Sequence, residues 1–270
     1  MKAFRKFSAL FAAAGVTAIA LSGCSAQASA ENSLGTISPG ELRVGTLTDA
    51  KPYAYIEGGE QKGFDVDMLR EVAKRLDLDV EFVNQEFSAL LPSVANGQLD
   101  VATASISNTE ERRKVVDFSD TYFIGYISVL ANPESGIGED PKSLAGKRLG
   151  IVQGTIQDAY AQKNFTGAEL VRFPDNNAAV SAMKSGTIDA HFLDFPVAED
   201  YAAANEGMTV AINVPVPEFP VGFAVNKNDS ELKEAINQEL KEIIADGTWL
   251  EIEKGYFPDQ PVDEMFMPAS

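Results

Sequence analysis

The feature that most constrains the fold is a regular alternation of short apolar segments with longer amphipathic ones. From residue 42 to residue 105 the order is strand, helix, strand, helix, strand, and the same order recurs from residue 147 to residue 194. Short apolar runs predict buried strands, whereas apolar residues spaced three and four apart predict helices with one buried face. This alternation is typical of α/β proteins, in which helices connect parallel strands of a sheet.

Each series contributes five predicted elements. In the first we predict strands at 42–47, 78–83 and 98–105 and helices at 63–76 and 87–97. In the second we predict strands at 147–154, 168–173 and 187–194 and helices at 156–164 and 177–186. A strand at 221–227 and helices at 229–247 and 248–257 follow. We therefore expect two α/β units of similar design, the second inserted after residues 123–136.

The first residues predict a targeting segment. Three basic residues precede an apolar stretch, Phe7–Leu21, that is short for a membrane span and typical of a secretion signal. It ends in LSGC, residues 21–24, which resembles the lipobox of bacterial lipoproteins. This resemblance implies removal of residues 1–23 and lipidation of Cys24, the only cysteine in the chain. The alternative is a buried free thiol.

Charge excludes some classes of partner. Removal of residues 1–23 takes away three of 22 basic residues and none of the 40 acidic ones, which leaves a net charge of −21. So acidic a protein repels nucleic acids and anionic lipids, and most of the charge is expected to be solvated surface. Residues 24–41 are mostly small and polar and predict a flexible tether.

One arginine stands where a cation is unfavourable. The stretch SNTEERRKVVDFSD, residues 107–120, predicts a helix that begins at Asn108 or Thr109 and carries acids in its first turn. Arg112 follows at once, near the positive end of the helix dipole, and it shares a helix face with valines. An anion bound beside this helix start would stabilise the positive charge of Arg112 at that position. The alternative is a surface arginine that extends over those valines.

Taken together, these segments resemble family 3 of the bacterial extracellular solute-binding proteins, the amino-acid-binding lipoproteins of ATP-binding-cassette importers. The resemblance covers about residues 42–257 and rests on GFDVDMLREVAKRL, GQLDVATASISNTEERRKVVDFSD, GKRLGIVQGT and DGTWLEIEKGYF. It implies an α/β, two-lobed periplasmic-binding-protein fold of type II. In that fold two open, mostly parallel sheets with helices are joined by two hinge strands, and the ligand lies between the lobes.

The resemblance also implies an organisation along the chain. Residues 1–23 would be the lipoprotein signal peptide and residues 24–41 the tether. Lobe 1 would comprise residues 42–128 plus 222–270, and lobe 2 residues 129–221. We expect the hinge strands near Ile124–Asn132 and Val221–Asn226, and the C-terminal helices against lobe 1.

The same resemblance implies the ligand-binding residues. Arg112 matches the arginine that holds the ligand's α-carboxylate, and a planar guanidinium suits that group because it donates two parallel hydrogen bonds. Ser105 and Ser107, in the turn before the helix, are expected to receive the ammonium and to help hold the carboxylate. Thr155 would hold the carboxylate from lobe 2, and Asp194, at a strand end, would pair with the ammonium. The structural alternatives are ordinary turns for the serines and helix caps for Thr155 and Asp194.

Two aromatic residues complete the predicted site. Phe87 matches a position at which family members stack an aromatic ring on the ligand side chain. Tyr53 follows Pro52 in a segment that resembles the family's PPF segment in the first lobe. Either ring is equally compatible with the hydrophobic core.

The sequence departs from the family where the ligand side chain would be recognised. Many members carry an acid directly after the first strand, where this chain has Leu47, and Asp49 is the nearest substitute. Ile156 and Leu193 replace residues that are often polar in the family. A cationic side chain in a closed cleft would require a carboxylate partner. We therefore rank a neutral or polar amino acid first, including sulphur-containing ones, and lysine and arginine lower.

We accordingly predict a monomeric, lipid-anchored protein on the extracytoplasmic side of the membrane. It would bind an amino acid and deliver it by hinge closure to the permease of an ATP-binding-cassette importer, without cofactor, metal or catalysis. One alternative is an enzyme on the same fold, similar to cyclohexadienyl dehydratases, which needs a general acid or base. The sole histidine, His191, is predicted to point away from Asp194, because odd offsets on a strand face opposite sides. A further alternative is a ligand-sensing ectodomain that acts with a partner.

Overall fold

The structure, a computed structural model, describes residues 34–268, and for residues 215–218 it describes the backbone alone. The predicted signal peptide, Cys24 and the tether up to residue 33 lie outside the described residues. From Leu34 onward the chain packs against the core, and the Ile37 N–H donates to the Asp100 carboxylate at 2.7 Å. None of the helices in residues 34–268 is long and apolar enough to cross a membrane.

Strands and helices alternate along the described residues as the sequence predicts. The strands are β1 (Glu41–Thr46), β2 (Asp49–Ala50), β3 (Ala54–Glu57), β4 (Glu60–Lys62), β5 (Asp79–Asn84), β6 (Val101–Ala102), β7 (Asp117–Phe118), β8 (Phe123–Ala131), β9 (Arg148–Val152), β10 (Glu169–Phe173), β11 (Ala190–Asp194), β12 (Thr209–Val221) and β13 (Ala224–Val225). The helices are α1 (Phe64–Arg75), α2 (Phe87–Ala95), α3 (Glu110–Arg113), α4 (Ile156–Asn164), α5 (Asn176–Lys184), α6 (Phe195–Ala204), α7 (Ser230–Ala245) and α8 (Thr248–Tyr256). The predicted helix bounds agree with the observed ones to within two residues.

The first sheet contains the strands of the first series, in the order β5-β1-β6-β13-β7. Strand β1 pairs in parallel with β5 and β6, whereas β13 pairs antiparallel with β6 and β7. Four of the five strands therefore run in one direction, which confirms the mostly parallel α/β unit. Strand β6 is shorter than the predicted segment 98–105 because the chain turns away at Ser105, whose backbone is left-handed with φ 49°.

The second sheet repeats this design, in the order β10-β9-β11-β8-β12. Strand β9 pairs in parallel with β10 and β11, and β8 pairs antiparallel with β11 and β12. Again four of the five strands share a direction.

The segments VANGQLDVATAS (94–105) and MKSGTIDAHFLD (183–194) share a pattern, in which a glycine, a spacer, an apolar residue and an aspartate precede a strand. The shared aspartate has the same structural role in both sheets. In the first sheet the Asp100 carboxylate accepts the Arg43 N–H at 2.7 Å, and in the second the Asp189 carboxylate accepts the Arg148 N–H at 2.8 Å. Each aspartate thus satisfies a backbone donor on the neighbouring strand.

A small third sheet was not predicted from the sequence. Strands β2, β3 and β4 form an antiparallel ribbon, with Gly58 and Gly59 in the turn between β3 and β4. Both glycines have positive φ, of 64° and 85°, as a two-residue turn between antiparallel strands favours. Strands of two to four residues are too short to produce a detectable apolar period.

The largest group of buried rings joins α1 to the C-terminal helices. The Phe64 ring is fully buried, with its centroid 5.2 Å from that of Phe123 and 5.4 Å from that of Phe257. Trp249 on α8 lies at its edge and donates its indole N–H to the Tyr122 carbonyl at 2.7 Å. Helices α7 and α8 both contact α1, so the C-terminal helices return to the first α/β unit.

The two sheets are linked by segments that lie side by side. Strand β12 pairs with β8, which leads into the second sheet, and the chain then enters the first sheet as β13. At this crossing Ser107 forms a bridge with Val221, and the Gly222 N–H donates to the Ile106 carbonyl at 3.2 Å. These segments include the expected hinge strands. The bounds of the two lobes stay a prediction.

Candidate ligand-binding cleft

A cleft lies where the carboxyl ends of strands from both sheets meet. Leu47 follows β1, Ser105 follows β6, Thr155 follows β9 and Asp194 ends β11, and all four line the cleft. The space that no protein atom fills, including the solvent at the open mouth of the cleft, measures about 500 Å³. Six of the seven predicted ligand-binding residues line it: Phe87, Ser105, Ser107, Arg112, Thr155 and Asp194.

Arg112 contacts loops of both sheets. Its helix α3 is a single turn, and the Thr109 hydroxyl caps it by accepting the Arg112 backbone N–H at 3.2 Å. The guanidinium donates from Nη1 to the Ser107 carbonyl at 2.9 Å and from Nη2 to the Gly154 carbonyl at 3.2 Å. Its Cζ lies 5.2 Å from the centroid of the Phe87 ring, so that one face is covered by the aromatic ring.

The environment of Arg112 weakens its hold on the proton but does not remove the charge. Loss of solvent around the guanidinium lowers its pKa to about 10, and the Asp194 carboxylate opposes this in part. The group is therefore positive at neutral pH. The guanidinium is contacted by two carbonyl oxygens and by the face of the Phe87 ring, and no acid pairs with it among the described residues.

The Ser105 turn is supported from below by a buried acid. The Ser105 N–H donates to the carboxylate of Asp65, which is fully buried at the start of α1. Burial raises the pKa of the Asp65 carboxyl group to about 7, although the Ser105 N–H and the nearby hydroxyl groups of Tyr122 and Thr103 act against this shift. Asp65 was not predicted to take part in the site, and it supports the cleft through its hydrogen bond with Ser105.

Thr155 caps helix α4 where the second sheet meets the cleft. Its hydroxyl accepts the Asp158 N–H at 3.2 Å and donates to the Val152 carbonyl at 2.8 Å. The adjacent Gly154 has φ 80°, and a Cβ there would lie 3.6 Å from Ser88 on α2. The loop before α4 thus approaches the first α/β unit closely. With its hydroxyl proton already donated, Thr155 would need a rotated hydroxyl to bind a carboxylate.

Asp194 occupies the position before α6 without capping that helix. Its carboxylate makes no hydrogen bond to the helix N–H groups and instead accepts the Gln157 side-chain N–H at 2.6 Å. Burial raises its pKa to about 6, partly offset by Gln157, by Ser105 and by the positive charge of Arg112. The helix-cap alternative for Asp194 is therefore excluded by the geometry.

The two predicted aromatic residues have different places. Phe87 begins α2, lines the cleft and lies against the Arg112 guanidinium. Tyr53 is fully buried in the core, with its ring centroid 5.5 Å from that of Phe123 and 5.6 Å from that of Phe257. The structure does not bring Tyr53 into the lining of the cleft.

The region after β1 offers no acid to the cleft. Leu47 lines the cleft with an apolar side chain. The Asp49 carboxylate accepts the Asn177 backbone N–H at 2.9 Å, and the Asp49 carbonyl accepts the Tyr201 hydroxyl at 3.1 Å. Burial raises the pKa of the Asp49 carboxyl group. Asp49 is thus engaged with helices α5 and α6 and does not replace an acid at position 47.

Sequence reasoning missed two amides in the lining, Gln157 and Asn176. Asn176 begins α5 and contacts His191, which is fully buried and distant from solvent. Burial lowers the pKa of His191 to about 4, which agrees with the structural role predicted for it. Both amide residues lie in the first turn of a helix that directly follows a strand, and this position in the sequence could have indicated that they line the cleft.

Known proteins share this architecture and sequence pattern. The family model described as "Bacterial extracellular solute-binding proteins, family 3" matches residues 42–259. The histidine-binding periplasmic protein of Escherichia coli K12 is 30% identical over 232 residues, which are 81% of this chain and 88% of that protein. The arginine-binding extracellular protein ArtP of Bacillus subtilis 168 is 30% identical over 259 residues, 94% of this chain and 98% of that protein. A solved structure titled "An ancestral arginine-binding protein bound to glutamine" matches with a TM-score of 0.79 and 33% identity, over 82% of this chain and 100% of the other.

Proposed function

The chain belongs to the bacterial extracellular solute-binding proteins of family 3 and has their two-lobed type II fold, and on this premise we propose that it binds a neutral α-amino acid. We further propose that it delivers this ligand to the permease of an ATP-binding-cassette importer, without turnover. The relatives are binding proteins by name, for histidine and for arginine, which supports amino acids as the ligand class.

The observation that carries this proposal is the placement of opposite charges in one cleft. Arg112 and Asp194 both line it, and among the ion pairs of residues 34–268 none engages either side chain. An α-amino acid carries the complementary pair of charges on adjacent groups. Its carboxylate would bind Arg112 and its ammonium would bind Asp194, so that each partly buried charge gains a partner of opposite sign.

The lining supports a ligand side chain without net charge. Asp194 is the one carboxylate among the described residues of the lining, and it is assigned to the ammonium. Leu47, Ile156 and Leu193 are apolar where a cationic ligand would need an acid. A lysine or arginine side chain would therefore lose its hydration without gaining a counter-ion.

Contacts across the cleft support binding by closure. Two hydrogen bonds join the first α/β unit to the second. Arg112 donates to the Gly154 carbonyl, and the Asn177 N–H donates to the Asp49 carboxylate. A ligand held between the same segments would favour the closed arrangement, because closure excludes water and strengthens each charged contact. The closed form, held at the extracytoplasmic face by lipidated Cys24, would be what the permease recognises.

Calorimetric titration of the purified protein with the common amino acids tests this function. Arg112→Ala should weaken binding by roughly 3 kcal/mol, since it leaves a buried carboxylate without a partner. The matched control is Arg113→Ala, because Arg113 is adjacent, exposed and bonded to Asn108 rather than to the cleft. Equal affinity of the two variants would reject the assigned role of Arg112. Absence of heat with every amino acid would reject the function itself.

A further inference from the structure

The hydrogen-bond pattern around the only histidine bears on which ligand side chain the cleft accepts. The His191 ring is fully buried, with Nδ1 3.0 Å from the Gly150 carbonyl and Nε2 3.1 Å from the Asn176 side-chain atom that the structure records as Oδ1. A carbonyl oxygen can only accept, so Nδ1 must carry a proton. No acid pairs with the ring among the described residues, and its burial in apolar protein favours the neutral form.

A neutral imidazole with a proton on Nδ1 has a lone pair on Nε2. This nitrogen therefore needs a donor, and the Asn176 side chain is the group within reach. The two ends of an asparagine amide are told apart by their partners. The recorded Oδ1 would set an acceptor against this lone pair, so the two ends of the amide are exchanged and Nδ2 faces His191. Because Asn176 lines the cleft, we infer that Oδ1, the other end of the amide, is the end turned toward the ligand.

The orientation of the Gln157 side chain, the other amide in the lining, is also determined by its partner. Its Nε2 donates to the Asp194 carboxylate at 2.6 Å, so its Oε1 remains as an acceptor. Each amide thus donates one N–H to the protein and keeps its oxygen, together with its second N–H, for other partners. The other polar side chains of the lining are those assigned to the ligand's carboxylate and ammonium: Ser105, Ser107, Arg112, Thr155 and Asp194.

We propose that Asn176, oriented by His191, is a specificity-determining residue that selects an amino acid whose side chain carries an uncharged hydrogen-bond donor. This inference rests on the proposed function and narrows its ligand class. A side-chain amide or hydroxyl would donate to Asn176 Oδ1 in a cleft that apolar residues such as Leu47 and Val197 also line. A side-chain carboxylate would face an acceptor, and an aliphatic side chain would leave a buried acceptor without a partner.

The orientation is testable without any ligand. Because the chain contains one histidine, a ¹⁵N–¹H spectrum of labelled protein reports His191 without overlap. At pH 7 we expect a protonated Nδ1 and an unprotonated Nε2. A protonated Nε2, whether in the other tautomer or in the imidazolium, would orient Asn176 the opposite way and overturn the proposal.

The selection is tested by calorimetry with ligand pairs of matched shape. The wild-type protein should bind glutamine or asparagine at least tenfold more tightly than glutamate, aspartate or norleucine, the effect of one satisfied hydrogen bond or more. Asn176→Ala should reduce that preference by about tenfold while norleucine binding stays within threefold of wild type. Asn176→Asp, which keeps the shape and acceptor oxygens, should not improve glutamate binding.

The outcomes separate the two proposals. Binding of amino acids with no preference for side-chain donors, or an unchanged preference in Asn176→Ala, would overturn the selection and leave the proposed function intact. Tighter binding of arginine than of glutamine would also overturn it, because an uncharged side chain is required. Failure of every amino acid to bind would refute the proposed function and the selection together. His191→Phe, if folded, should lose the preference as Asn176→Ala does.

Discussion

Replacing Asp65 with asparagine should change how the stability of this protein depends on pH. Asp65 is fully buried beneath the Ser105 turn, and burial raises its pKa from 3.8 to about 7. One carboxylate oxygen, Oδ1, has no hydrogen-bond partner, while Oδ2 accepts the Ser105 N–H. An asparagine has the same shape, and its amide oxygen can accept that N–H without a charge.

The sign of the effect follows from which state holds the proton. Between the unfolded pKa of 3.8 and the folded pKa of about 7, the folded protein keeps the Asp65 proton and the unfolded chain has lost it. The free energy of unfolding therefore falls with rising pH by about 1.4 kcal/mol per unit from this group. From pH 5 to pH 8 the fall amounts to roughly 3 kcal/mol, because it stops near the folded pKa.

Urea denaturation followed by fluorescence of Trp249, the sole tryptophan, measures this difference. Asp65→Asn should remove the fall, so that relative to wild type it gains roughly 3 kcal/mol between pH 5 and pH 8. Asp259→Asn, at an exposed carboxylate, is the matched control and should follow wild type. If Asp65→Asn lost as much stability as wild type over this interval, the assignment of a raised pKa to Asp65 would be refuted.

Two further predictions concern the ligand and the backbone. Burial raises the pKa of Asp194 to about 6. Protonation below this pH removes the charge that would pair with the ammonium, so affinity for the amino acid should fall up to about tenfold per pH unit below 6. Equal affinity by calorimetry at pH 5 and pH 7.5 would contradict the pairing of Asp194 with the ammonium. Gly63 has φ 132°, and a Cβ there would lie 2.1 Å from the Tyr53 carbonyl oxygen. Gly63→Ala should therefore destabilise the protein by at least about 2 kcal/mol in thermal unfolding. Gly255→Ala, where a Cβ meets nothing within 4 Å, should not, and similar melting temperatures of the two variants would argue against backbone strain at Gly63.

Much of the candidate site was predictable because its residues follow strands. The carboxyl ends of parallel strands meet at one edge of a sheet, so Asp194 could be assigned to a cleft from its position in the alternation, whereas the family resemblance supplied the role of Ser105. Arg112 was identifiable because its helix starts with a cap and acids, yet no acid stands three or four residues from Arg112 to pair with it. The prediction for Tyr53 had no such basis, since an aromatic residue after proline suits a core as well as a site, and the structure places its ring in the core.

The sequence by itself determined the secondary structure, the repeat of two α/β units and the identity of the charged residues at the strand ends. These properties are local, because apolar period, helix caps and turn residues act within a few positions. Only the tertiary structure decided that Asp49 is spent on the Asn177 N–H and that Asn176 meets His191. Such pairs join distant parts of the chain. The packing of whole helices and sheets fixes which donor meets which acceptor, and a local sequence pattern does not encode that packing.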